Sequence, residues 1–145
     1  MAKIIMKKIN RNERIVATVN KIDYICDQSA GGILCKISIN FRTKNKPLKH
    51  IVSQGIAINS DLEFDSKFGE KLARAKAEYN TYYELKKYAI NCISNNINSN
   101  LDFIDMTYYL KVLPIYLNTI QFADAMIKHQ ENYIHKLIRN KYGEN

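Results

Sequence analysis

Hydrophobic and polar positions along this chain change period once, near residue 60. Before that point they alternate. In "CKISINF", Cys35, Ile37, Ile39 and Phe41 point one way while Lys36, Ser38 and Asn40 point the other, the period of two that marks a half-buried strand. "RIVATVNKIDYI" puts Ile15, Ala17 and Val19 in phase and is rich in β-branched residues. Between these runs "QSAGGIL" supplies Gly31 and Gly32 for a hairpin connection. "HIVSQGIAIN" forms a third run, with Val52, Ile56 and Ile58 on one face and Gly55 as a candidate bulge. "RTKNKPLK" joins the second run to the third, and Pro47 suits a loop rather than a ladder. The expectation is a three-stranded antiparallel meander, with "KIIMKKI" as a candidate fourth, edge strand.

After residue 60 the period is helical. Phe68, Leu72, Ala75, Tyr79, Tyr82, Leu85, Ala89 and Cys92 recur at steps of three and four, one stripe of a long amphipathic helix. Asp65 or Ser66 is the expected N-cap, and Glu70 suits the first turn. Gly69 costs about 1 kcal/mol relative to Ala inside a helix, which points to close packing on the sheet. The polar run "SNNINSN" at 94–100 is expected to stop this helix. A second helix follows, with Leu117, Ile120, Ala123, Ile127, Leu137 and Ile138 in its stripe and a break or kink expected at Pro114. The predicted architecture is α+β, one domain over 1–145: a small sheet in 1–60 and two long helices in 61–145. The helices carry more apolar face than a small sheet can cover, and the ten tyrosines suit interfaces, so self-association through the helices is expected.

Composition narrows the chemistry. At 145 residues the chain can bury a core without staples. The formal charge of +8 is unevenly spread: Lys and Arg outnumber Asp and Glu by 11 to 3 in residues 1–60 and equal them, 11 to 11, in 61–145. An anionic partner for the N-terminal part, or a soluble basic face, accounts for such asymmetry. Three cysteines with no C-x-x-C pair speak against a disulfide framework, and the apolar run at the N-terminus is too short for a signal peptide or a membrane span. A soluble, cytoplasmic protein is expected.

Catalytic signatures are missing. His129 and His135 stand six apart, unlike the i, i+4 pair of a zinc helix, so no metal site is expected. No nucleophile signature or Walker motif occurs. Asp61, Glu63, Asp65 and Glu70 cluster at a helix N-terminus, where negative charge is stabilising for structural reasons. The residues therefore point to a protein without catalytic groups and without a cofactor. Binding remains. Arg42, Lys44, Lys46 and Lys49, with Lys7, Lys8, Arg11 and Arg14, form a basic region that either binds an anion or is a solvated loop.

One segment carries a resemblance. "GIAINSDLEFDSKFGEKLARAKAEY", residues 55–79, resembles a segment recurring in small phage proteins, in which a strand ends in G-x-A, an acidic turn D-x-x-F-D follows, and a helix opens with G-x-x-L-A. Gly55, Ala57, Asp61, Phe64, Asp65, Gly69, Leu72, Ala73 and Ala75 carry the pattern, while Arg74 sits earlier than the usual arginine. The layout of a small antiparallel sheet before two long helices also resembles the phage Thoeris anti-defence sponges, non-enzymatic proteins that sequester cyclic ADP-ribose signals between subunits. That resemblance implies a pocket in which Arg42 or Arg14 faces the pyrophosphate, Tyr82 or Tyr83 stacks the base and Asn91 bonds a polar edge. Two rival readings are a double-stranded RNA-binding module, with Lys67, Lys71 and Arg74 beside the basic loop, and an anti-CRISPR-type protein inhibitor of a nuclease.

Overall fold

The structure is a computed structural model and describes residues 3–5, 15–27, 31–43, 48–58, 66–97 and 103–142. Strands β1 (Lys3–Ile5), β2 (Val16–Asp27), β3 (Gly32–Arg42) and β4 (Lys49–Ile58) form one antiparallel sheet in the order β1-β2-β3-β4. Helices α1 (Ser66–Ile97) and α2 (Phe103–Tyr142) follow. The α+β architecture read from the period is therefore present, with β1 as the fourth, edge strand on Val16–Thr18. Gly31 turns the β2–β3 hairpin at φ 65°, a left-handed backbone that glycine adopts without a Cβ clash.

The strands sort their side chains by parity. On β3, Ile33, Cys35, Ile37, Ile39 and Phe41 are buried and face the helices. On β4 the inward residues are Ile51, Ser53, Gly55 and Ala57, opposite Ile39, Ile37, Cys35 and Ile33. Val52, Ile56 and Ile58 do share a face, but it is the outer one, and all three are exposed. The reason is the approach of α1. A Cβ on Gly55 would collide with the Ala73 carbonyl oxygen and the Ala77 nitrogen, so the helix backbone rests directly on this strand. Gly69 is close-packed too, with a virtual Cβ 2.8 Å from Ile33 Cδ1, as its position in the helix suggested.

The bulge expected at Gly55 is absent: β3–β4 pairing is continuous from Gly32↔Ile58 to Phe41↔Lys49. The irregularity lies instead in β2, between Val19 and Lys21, where Asn20 is the extra residue. Helix α2 runs unbroken through Pro114. The proline frees the carbonyl of Leu110, and that residue is exposed, where water can bond the freed oxygen. Helix α1 ends at Ile97, within the polar run 94–100 expected to stop it. Asp65 and the acidic turn before it, Arg14, Lys44 and Lys46 lie outside the described residues.

The two helices pack as an antiparallel pair. Tyr82 of α1 meets the Phe122 ring edge-on at 6.2 Å, Lys86 bridges to Asp124 at 2.7 Å, and Lys141 sits over the Phe68 ring at 5.5 Å. At the other end Tyr88 packs against Phe41 and exchanges a 3.1 Å hydrogen bond with Thr43, tying α1 to the end of β3.

Candidate functional site

The β2 bulge creates the site. Before Asn20, odd residues of β2 face the helices, and Ile15, Ala17 and Val19 are buried. After it the parity inverts, and Ile22 and Tyr24 stand beside inward-facing Ile37 and Cys35. Because α1 rests on the β4 side of the sheet, it leaves this second half of β2 partly uncovered: Ile22 is half-buried and Tyr24 is exposed. The gap is a cavity of about 130 Å³. Val19, Ile22 and Ile37 line it from the sheet; Arg74, Glu78, Thr81 and Tyr82 line it from α1, at the i, i+4, i+7 and i+8 spacing of one helix face.

Its polar groups are held in place. Arg74 Nε donates to Glu78 Oε1 at 3.0 Å. Gln130, buried on α2, donates from Nε2 to Glu78 Oε2 at 3.1 Å and to the Ala75 carbonyl at 3.2 Å. The Glu78 bond holds Arg74 firmly charged, and the Tyr24 hydroxyl interacts with the same guanidinium. Thr81 Oγ1 donates to the Ala77 carbonyl at 2.9 Å and keeps its lone pairs for another donor. Burial pushes the Tyr82 hydroxyl up, with the Glu78 charge adding to the effect. Burial likewise raises the Cys35 thiol, so next to this site it remains a neutral core thiol rather than a nucleophilic thiolate. The cleft thus offers an apolar floor, one aromatic ring, a pre-positioned guanidinium and a carboxylate. These are the elements that hold a flat or hydroxylated ring by contact on its face and hydrogen bonds at its edge.

Of the residues expected to bind a ligand, Tyr82 lies in this cleft. Tyr83, one residue on, turns away from it and packs against Tyr79 at 5.2 Å. Arg42 is exposed at the end of β3, between buried Phe41 and Thr43, and so belongs to the outer face. Asn91 is exposed on α1 well beyond the cleft. Arg14 lies outside the described residues, and the other four do not converge within one chain. Arg74, Glu78, Thr81, Tyr24 and Gln130 were not anticipated as one group. The Arg74–Glu78 spacing was readable as a helical ion pair, whereas the position of Tyr24 depends on a bulge that its sequence does not announce. Among the described residues no cluster of three His, Cys, Asp or Glu side chains is placed to hold a metal, and no helix is long and apolar enough to cross a membrane. No protein-family model, no curated protein and no solved structure matches this chain.

Proposed function

We propose that the protein is a non-enzymatic binder of a nucleotide of the cyclic ADP-ribose type, acting as the anti-defence sponges do whose layout it resembles, with part of the ligand held in the cleft between β2 and α1. The observation that carries this reading is the convergence of Tyr82, Arg74 and Glu78 on one cavity floored by aliphatic residues. At about 130 Å³ the cavity is smaller than a complete ligand pocket, typically about 300–1,000 Å³, so it takes one ring of the nucleotide. Glu78 makes it a poor seat for a bare phosphate and a good one for a base edge or ribose hydroxyl. The phosphates then lie toward the open side, within the field of a chain of charge +8.

Calorimetric titration of the purified protein with cyclic ADP-ribose isomers tests this, with a short RNA duplex titrated in parallel. Tyr82→Ala is expected to weaken nucleotide binding about 5- to 150-fold, the equivalent of about 1–3 kcal/mol of stacking on one base. Arg74→Gln is expected to weaken it by at least about tenfold. Nucleotide binding indifferent to both substitutions would place the site elsewhere. Silence toward the nucleotides with steeply salt-sensitive duplex binding would replace the proposal with nucleic-acid recognition. That second reading draws on Arg42 and Lys49, which are exposed where the basic run begins and ends and have no ion-pair partner among the described residues.

A further inference from the structure

The cleft between β2 and α1 sorts its surfaces by polarity. Val19, Ile22 and Ile37 make an aliphatic floor, and Tyr82 adds an aromatic ring. A ribose carries hydroxyls around its rim and would leave some of them unbonded against these groups, whereas a purine has two apolar faces and a polar edge. The better occupant is therefore the base.

The polar wall belongs to α1, and what it leaves free at Glu78 and Thr81 are lone pairs. Glu78 Oε1 accepts from Arg74 Nε at 3.0 Å, and Oε2 accepts from Gln130 Nε2 at 3.1 Å. A carboxylate has about four acceptor sites, so about two remain. The Thr81 hydroxyl hydrogen is spent on the Ala77 carbonyl. Gln130 is 5% exposed, and its amide nitrogen donates to the Ala75 carbonyl as well, so both amide hydrogens are committed. The carboxylate is thus held on one oxygen from α1 and on the other from α2. Arg74 keeps N–H groups beyond its Nε bond, with the Tyr24 hydroxyl beside them. The Arg74 and Glu78 charges offset one another, so the wall selects by where donors and acceptors stand rather than by sign.

We infer, resting on the nucleotide reading of this same cleft, that it selects a purine bearing an amino group, with Glu78 as the specificity-determining residue and Gln130 as the positioning residue that holds its carboxylate. The amino N–H donates to a free lone pair of Glu78, and the ring nitrogen next to it accepts from Arg74. Adenine presents this order of donor and acceptor along its edge. Without the amino group the carboxylate faces a C–H and loses a charge-assisted bond. Helix α2 supplies no wall of the cavity among the described residues, yet it acts on recognition through Gln130.

Calorimetric titration of the full chain with cyclic ADP-ribose isomers, and with their counterparts carrying hydrogen in place of the 6-amino group, tests this. The wild-type protein should bind the amino form about 10- to 150-fold more tightly, the worth of one hydrogen bond to a charged group. In Glu78→Ala the two forms should bind alike, and Glu78→Gln, which keeps the shape and a neutral acceptor, should retain a reduced preference. Gln130→Met, of similar size, should also reduce the preference, which a merely structural loss of affinity for both forms would not do. Circular dichroism checks the folding of each variant. Equal binding of the two forms by the wild type would overturn the selection and leave the nucleotide reading standing, whereas binding of neither would remove both. A preference that survives Glu78→Ala would overturn the role of Glu78, and one unchanged in Gln130→Met would overturn that of Gln130.

Discussion

Ser53 is the one buried side-chain hydroxyl among the described residues whose oxygen has no hydrogen-bond partner. It faces inward from β4 opposite Ile37, a wall of the cleft, and is 3% exposed. An unpaired buried hydroxyl costs about 1–3 kcal/mol of desolvation, so Ser53→Ala is expected to leave stability unchanged or raise it by up to about 1 kcal/mol in urea unfolding. A loss of more than that amount would mean the hydroxyl has a bonded role. Protonation gives a second expectation. Burial raises the pKa values of Cys35, Tyr82 and Tyr88, the last against a partly offsetting bond from Thr43. In each case the folded chain holds the proton to a higher pH than the unfolded chain does. Their contribution is complete below the ordinary values, about 8.5 for Cys and about 10 for Tyr, and is lost as pH climbs through the folded values. The urea midpoint should therefore stay flat with respect to these groups below about pH 8, begin to fall above about pH 9 through Cys35, and fall more steeply above about pH 10 as the tyrosines join.

The contact of α1 with β4 governs the arrangement of elements. The backbone of α1 comes so near that Gly55 has no room for a methyl group, and Ala73 and Ala77 are the helix residues beneath which it fits. The contact also satisfies the strand edge: Asn80 Nδ2 donates to the Gln54 carbonyl at 2.6 Å and Lys76 Nζ to the Ile56 carbonyl at 3.1 Å. Those carbonyls are consequently less available for pairing with another strand. Gly55→Ala is expected to cost about 3 kcal/mol, the upper part of the overpacking range, because backbone rather than flexible side chain must move. A cost under about 1 kcal/mol would show that the helix can ride up at little expense. This contact also explains what periodicity could and could not deliver. Alternation on β3 predicted the buried residues correctly, because that central strand has a conventional apolar inner face. On β4, Val52, Ile56 and Ile58 lie outside, since close approach of α1 requires small residues inside at Ser53, Gly55 and Ala57. Likewise the stripe through Leu72, Ala75 and Tyr82 was legible, whereas Ala73 and Ala77, fully buried against the strand, were too small to mark a face.

At the level of the whole molecule, the change of period at residue 60 was sufficient for the fold: a sheet, then two long helices. The candidate site was less legible, because it arises where elements meet. Tyr82, whose ring marks it as a stacking candidate in the sequence, lies in the cleft. Arg74 gains its setting only because one extra residue, Asn20, swings Tyr24 toward it and Gln130 reaches across from α2. Arg42 has the charge for an anion, yet strand parity sends it to the other side of the sheet. The cations concentrated in residues 1–60 add a long-range field favouring anionic ligands, although local geometry decides where a ligand rests.

The central claim is that the β2–α1 cleft receives a nucleotide ring. The most direct test is a two-dimensional ¹H–¹⁵N correlation spectrum of the labelled protein titrated with cyclic ADP-ribose isomers, following both backbone amides and the Arg74 Nε–H. Saturable shifts centred on Arg74, Glu78, Thr81 and Tyr82, with Ile22 and Tyr24 across the cleft, are the predicted result. A spectrum that does not move, or shifts confined to Arg42, Lys49 and the outer face of the sheet, would contradict it.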